Sequence, residues 1–583
     1  MKRTLTVLTV LAVLAVGLTA QNAEDTKFKK YQDTLWDTYF RFFPTSGTLA
    51  GYAKFGDRLE DLSEGAIEKF HDSLDALNGE LVTKIDRTKL SPEMQVEHEM
   101  LVDFLDLEFV KFEMLLPWGY NPLFYNSIFI NSIRSLLVKN SAALDARVKN
   151  ATERAKQLPG LIKRAKENLQ TPPQIYTETA LKQLPAIIDF YRTEVPTLAG
   201  GAGNQAAFLA EVGKVVAALE EYRTYLQTEL LPKSTGNFRI GEQAHLRILR
   251  MTAQTSQTME EYLARVRADK NNIRRDMAIV ILPLFPLLYP KVNMNQVGTQ
   301  LGEEGAKNYF IQGVFDKTKS EHATKENFIP QVAASVARVK DFLTQNQLLD
   351  LPQENLPIEP MPPFMRGTSW MLLDKPGAFE SSGSYAFFIE PFADDMPADR
   401  VNSLLEEYND FYLDFFTVQN VYPGTFVPSV VTRRDPSIVK RIAPNRALLQ
   451  GWPVMLQDML IYSGYGNYNL RMRLNQLKNM LKMAIAFEMD LNIHQGGISK
   501  EDAMNYMTRS GFMATAEAER IWNHIILHPG EASLTYIGYQ EILDMEKEHQ
   551  KLKGDQYDQK EFLQKLLSYG AIPLRTLKTR MAQ

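Results

Sequence analysis

Apolar residues return every three or four positions through most of this chain, and no other feature limits its fold so strongly. That period belongs to helices with one buried face. After Ser91-Pro92-Glu93, Leu101, Val102, Leu105, Val110 and Phe112 recur with roughly helical spacing. Serine is suited to cap a helix start, and proline fits the first position. Ser499 and Asp502 have the order of a capping box, with Met504, Met507 and Phe512 beyond. Thr515 opens another helix, and Glu517 and Glu519 sit where its dipole favours acids. The stretch Gly200-Gly201-Ala202-Gly203 lacks the third glycine and the preceding strand of a nucleotide loop, so it reads as a helix–helix connection. One region departs from the pattern. Leu356 to Phe392 is rich in proline, glycine and aromatics, and Ser369–Leu372 and Tyr385–Ile389 suit strands. Length alone suggests several domains. The even helical texture instead predicts one predominantly α body over residues 24–583, with a small antiparallel sheet inserted at about 356–392.

The first two dozen residues have the order of a secretory signal. Lys2 and Arg3 are basic, Leu5 to Leu18 is an apolar run, and Ala20, Gln21, Asn22 and Ala23 follow. A membrane anchor is the alternative, but the run falls short of the roughly 20 apolar residues a span needs. Residues 1–23 are thus expected to be cleaved, near Ala20 or Ala23, leaving a periplasmic or secreted chain. With no cysteine, neither disulfides nor a cysteine-borne lipid anchor is available, and the mature chain folds on its core alone. Ala278 to Tyr289 is too short for a span and carries Pro283 and Pro286, so it reads as a buried, kinked helix. The net charge of −5 over 583 residues, with signs mixed, leaves no nucleic-acid footprint. The pairs Arg274-Arg275 and Arg433-Arg434 read as solvated faces.

Few nucleophilic or metal-binding motifs are present. The serine elbow G-x-S-x-G and the phosphate loop G-x-x-x-x-G-K-[ST] are absent. His98-Glu99 is the one His-Glu pair on a helix, but Val102 stands where a zinc helix needs its second imidazole. The charge around it (Glu93, Glu97, Asp103) suggests a solvated face. His524 and His528 have ligand-like spacing, but Pro529 places His528 at or past a helix end. Capping and packing is the plainer reading there.

Several segments together resemble the bacterial domain-of-unknown-function 885 family. They are Asn121-Pro122 with Tyr125, Leu158 to Ala180, Ile240 to Glu242, Met361 to Arg366, Tyr385 to Pro391, Asp490 to Ala503, and His528 to Ala532 with Gly538. The resemblance implies a helical, zinc-peptidase-like body with the signature H-E-x-x-P-G-H and a later Glu before Gly-Trp. In such a site the two His and the later Glu hold zinc, and the first Glu activates water.

Here the frame is kept and the chemistry is not. Gln419-Asn420-Val421-Tyr422-Pro423-Gly424-Thr425 aligns without a gap. Gln419 and Thr425 stand for the two His, Asn420 for the Glu, and Gln450, before Gly451-Trp452, for the later Glu. No histidine lies between His322 and His494, so no register brings an imidazole into this segment. Amides and a hydroxyl are poor zinc ligands, and Asn is no general base. They can still hydrogen-bond to one another where the metal would sit. His524 and Thr535 stand where the family has an Arg and a Tyr. Asp490 and His494 keep family positions, either as a pair behind the cleft or as a contact at a helix end.

No catalytic residue, metal or cofactor is therefore expected. The leading reading is an exported pseudoenzyme whose retained cleft binds a peptide or protein. A hydrolase with a metal-free or relocated site and a structural envelope protein are the alternatives. The oligomeric state is not readable.

Overall fold

Helix α1, Ala23–Phe42, buries Phe28, Tyr31, Leu35, Trp36 and Phe40 along one face and is capped by the Asn22 side chain. The computed structural model describes residues 22–139, 142–366 and 369–583, without the Phe364 side chain. The expected signal, residues 1–23, lies outside the described residues but for its last two positions. Among the described residues the architecture is predominantly α-helical with one small sheet, and no helix is long and apolar enough to cross a membrane.

Pro92 and Ser91 mark the start of α2, Pro92–Val110, as their chemistry requires, although Ser91 makes no side-chain cap. Its charged face is not solvated. Glu97 accepts a hydrogen bond from Gln32 (2.7 Å), His98 lies 3.3 Å from the Leu81 carbonyl, and Glu99 and Asp103 pair with Arg575. The first helix and the C-terminal segment cover this face, which corrects the solvated reading of His98-Glu99.

Helices α3, Pro122–Leu137, α4, Leu144–Asn168, and α5, Gln205–Tyr225, close on a second apolar cluster that includes Tyr125, Phe129, Phe208 and Tyr222. Helix α6, Glu242–Ala253, follows. The proline-interrupted run belongs to α7, Met259–Leu288, which pairs with α8, Met294–Thr318. It buries only the stripe Tyr262, Val266, Ile273, Met277, Ile281 and Phe285. Leu282 is 58% and Leu287 79% exposed. The expectation of a buried helix fails because a two-helix hairpin covers one face of α7 and leaves the other uncovered.

The inserted sheet comprises β1, Ile358–Pro360, β2, Met371–Asp374, and β3, Ala386–Ile389, in the order β1-β3-β2. β2 and β3 pair antiparallel as expected, but β1 pairs with β3 in parallel, with Ile358 opposite Phe387. The sheet is mixed because the chain reverses twice between β1 and β3, restoring its direction.

The C-terminal half supplies α9, Leu413–Asn420, α10, Phe426–Arg434, α11, Arg446–Tyr462, α12, Leu470–His494, α13, Thr515–Leu527, and α14, Glu531–Lys553. Helices α11 and α14 cross with their backbones nearly touching. A Cβ on Gly451 would fall 2.2 Å from the Gly538 carbonyl carbon, and one on Gly538 would fall 1.8 Å from the Ala447 oxygen. Only glycine at both positions permits that approach. Trp452, 1% exposed, locks the next position into the core.

Candidate functional site

The segment between α9 and α10 is held against α11 by backbone geometry. The Gly424 amide donates to the Val418 carbonyl (3.0 Å), and a Cβ on Gly424 would fall 2.7 Å from Cβ of Pro453. This seats Gln419, Asn420 and Thr425 beside the helix that carries Gln450. All four side chains are half-buried.

Their hydrogen bonds run to other partners. Oε1 of Gln419 accepts from Nε2 of Gln457 (3.1 Å) and from Nδ2 of Asn479 (2.8 Å). Asn479 Nδ2 also donates to Oε1 of Gln457 (3.1 Å), and Asn479 accepts from the Tyr412 hydroxyl (2.6 Å). Asn420 donates to the Phe416 carbonyl (2.9 Å), and Thr425 donates to the Gln419 carbonyl (3.4 Å). Gln450 accepts from the Thr535 hydroxyl (3.1 Å). The expected side-chain bonding among the four positions is therefore replaced by three separate arrangements. The reason is reach: Gln457 and Asn479, which sequence reading missed, present amides directly to Gln419. Gln457 lies two helical turns beyond Gln450, and that spacing was the one available signal.

These residues do not fit zinc. The four positions are neutral, and the one carbonyl oxygen of the Gln419 amide already accepts two hydrogen bonds. Among the described residues no group of three or more His, Asp or Glu converges to hold a metal ion.

Asp490 and His494 are wholly buried. The Asp490 carboxylate accepts from the Gly530 amide (3.1 Å), the Ser533 amide (3.2 Å) and the Ser533 hydroxyl (2.6 Å), and it lies 3.1 Å from Nε2 of His245. Burial pushes its pKa up, but the hydrogen bonds from His245 and Ser533 outweigh that and leave it below the ordinary carboxylate value. His494 lies 2.9 Å from the Ile525 carbonyl, and burial lowers its pKa. This hub ties α6, α12 and the start of α14 together, so of the two readings the structural contact describes its geometry.

His528 follows the last residue of α13, as Pro529 requires. Its ring centroid lies 5.0 Å from that of His524, and Nε2 of His524 is 3.6 Å from Glu531, which also pairs with Arg446. Burial and the adjacent His528 push His524 down to about 4.

His98 is likewise lowered by burial. An imidazole with a depressed folded pKa binds protons more readily when unfolded, so its stabilising effect is complete above the ordinary value of about 6.5 and is lost as pH falls. His98 and His494 carry this effect, while His524, with 41% of its side chain exposed, contributes less. Urea midpoints are expected to be level from pH 8 to pH 7 and to fall steadily from pH 6.5 toward pH 4.5, by about 1 kcal/mol or more in total.

Cavities approach these residues without being lined by Gln419, Asn420, Thr425 or Gln450. One of about 670 Å³ reaches Arg446 and Leu449, in the turn before Gln450. A second of about 770 Å³ reaches Leu527 and Pro529 on either side of His528. Both are bounded by Tyr39, Ser46, Glu108 and Lys111, where Lys111 pairs with Glu108 at 2.5 Å. A third of about 500 Å³ is lined by Leu527 and His528 themselves. Arg433 lines the first cavity, and Arg434 beside it is exposed and pairs with Glu354.

A family profile described as "Bacterial protein of unknown function (DUF885)" matches residues 44–581. The chain is similar to the structure of a candidate lipoprotein of unknown function from Shewanella oneidensis, with 23% identity, a TM-score of 0.79, and 95% of this chain and 100% of that one covered. It is also similar to a candidate lipoprotein from Colwellia psychrerythraea, with 15% identity, a TM-score of 0.73, and 96% and 99% covered. At such identities the likeness shows the fold alone. No curated protein matches the sequence.

Proposed function

Because this chain belongs to the DUF885 family of bacterial proteins, whose function is unknown, we propose that it is an exported, non-catalytic binding protein: a pseudoenzyme of a zinc-peptidase-like body. In this reading residues 24–583 form one helical domain, the signal is removed, and the cleft takes a peptide or a segment of a protein. The observation that carries the reading is that neutral amides, Gln419 engaged by Gln457 and Asn479 and Gln450 engaged by Thr535, stand at these positions while a large cavity reaches Leu449, next to Gln450. A general base is missing at Asn420, because a carboxamide does not take up a proton near neutral pH. A cleft of this size still buries a ligand of several residues. The apolar run and small residues of the first two dozen positions support export.

A second reading, a hydrolase with a relocated site, is favoured by His524 and His528 standing near the cavities with Glu531 at 3.6 Å. One assay separates the two. The purified chain is incubated with a mixed peptide library, and bound and cleaved peptides are quantified by mass spectrometry. Retention of peptides at unchanged length is the expected outcome. Cleavage abolished by His524→Ala would establish the second reading instead.

A further inference from the structure

The two larger cavities adjoin and differ in the chemistry of the rest of their linings. The first is floored by apolar side chains, yet Lys375, Arg433 and Arg441 stand on its lining. Its acids are Asp103, paired with Arg575 and Gln254, and Glu108, whose Oε1 pairs with Lys111. Arg446, also on the lining, is paired with Glu531. Arg441 donates only to the backbone carbonyls of Ser437 and Pro436, at 3.4 Å each. Asp435, whose charge acts on Arg441, has its oxygens taken by the Ser437 amide (2.9 Å) and Lys440 (3.2 Å). Lys375 and Arg433 have no hydrogen-bond or ion-pair partner among the described residues. Lys375 is open to the cavity, while the protein mass around it desolvates the ammonium and lowers its pKa. Burial and the like charge of Arg433 lower Arg441 as well. Arg433 and Arg441 stand close enough to repel each other, and with Lys375 on the same lining they favour an anion that brings an apolar body with it.

The second cavity supplies the place for that body. Phe43, Trp118, Tyr120, Phe124, Tyr176 and Phe238 line it. Its one arginine, Arg239, is occupied with the Ile493 and Ile498 carbonyls and lies 5.0 Å from the Phe238 ring centre. Aromatic walls of this kind take aromatic or branched side chains by stacking and edge contacts. The cavities share Tyr39, Ser46, Glu108 and Lys111 and so adjoin along these residues.

We propose that the cleft is selective for acidic peptides with aromatic residues, placing a carboxylate against Lys375, Arg433 and Arg441 and an aromatic side chain among Trp118, Tyr176 and Phe238. This deepens the reading of the cleft as a peptide-binding site and rests on it. A peptide offers both groups at separate points along a backbone that advances about 3.3 Å per residue, which suits two adjoining chambers.

The test is isothermal titration calorimetry on the purified chain with three probes: the peptide Phe-Phe-Ala-Asp-Asp, its isostere Phe-Phe-Ala-Asn-Asn with an amidated C-terminus, and dodecanoate. The acidic peptide is expected to bind at least about tenfold more tightly than the isostere. The double variant Lys375→Gln/Arg433→Gln should remove most of that difference while leaving isostere affinity and the circular dichroism spectrum unchanged. Equal binding of the two peptides, or a double variant with undiminished preference, overturns the charge assignment. Absence of peptide binding overturns it too, and tight binding of dodecanoate alone assigns the cleft to lipid anions. Cleavage of the probes is a separate outcome: it contradicts the non-catalytic reading and leaves the charge preference to be read from the variant.

Discussion

Asp490→Ala is expected to lower stability by about 3–5 kcal/mol, the range for removing one partner of a buried charged network. Its carboxylate receives the Gly530 and Ser533 amides, the Ser533 hydroxyl and the His245 ring, all in a region closed to water. Alanine leaves those groups without an acceptor, and each unsatisfied buried donor costs about 1–3 kcal/mol. The start of α14 loses its anchor to α12, because Gly530 and Ser533 flank that helix end. Asp490→Asn keeps one acceptor oxygen and should recover part of the loss. Urea denaturation followed by circular dichroism reads both variants. A loss below about 1 kcal/mol for Asp490→Ala would mean that the hub does not hold these helices together.

Gly538→Ala should be nearly as damaging for a different reason. The added methyl meets the Ala447 carbonyl oxygen at 1.8 Å and the Gly451 nitrogen at 3.1 Å, and both belong to the α11 backbone. A side chain can swing aside, but a helix backbone moves only by shifting the whole crossing. Overpacking of this kind costs about 1–3 kcal/mol when neighbours yield, and the cost rises when they do not. A loss of about 3 kcal/mol is therefore expected from the urea midpoint. Because α11 carries Arg446 and Leu449 on the lining of the first cavity, the variant should also weaken peptide binding in calorimetry. A variant of full stability would show that the two helices do not pass this closely.

Local rules account for the parts of the fold that were legible. Pro92 and Thr515 each begin a helix, because a residue's preference for a helix start is set by its own backbone chemistry. Strands β2 and β3 follow from aromatic and branched runs bounded by turn residues. Strand β1 does not, since Ile358-Glu359-Pro360 is too short to carry a period and ends in a residue that lacks an amide donor. Apolar content misled at α7, where Leu282 and Leu287 face outward: a run of hydrophobic letters does not say which face another helix will cover. Long-range pairing was the least legible. Asp490 meets His245 across 245 positions, and nothing local to either residue marks the partnership. The site shows the same division. Pro423, Gly424, Gly451 and Trp452 were legible as backbone and packing residues, whereas the amides that engage Gln419 come from α11 and α12 and had no local mark.

The central claim is that Gln419, Asn420, Thr425 and Gln450 do not make a zinc site. Metal content of the chain, measured by inductively coupled plasma mass spectrometry after dialysis against zinc-containing buffer, tests it most directly. The account predicts substoichiometric zinc that is the same in the unmodified chain and in Gln419→Ala and Gln450→Ala. One zinc per chain, lost on either substitution, would contradict it.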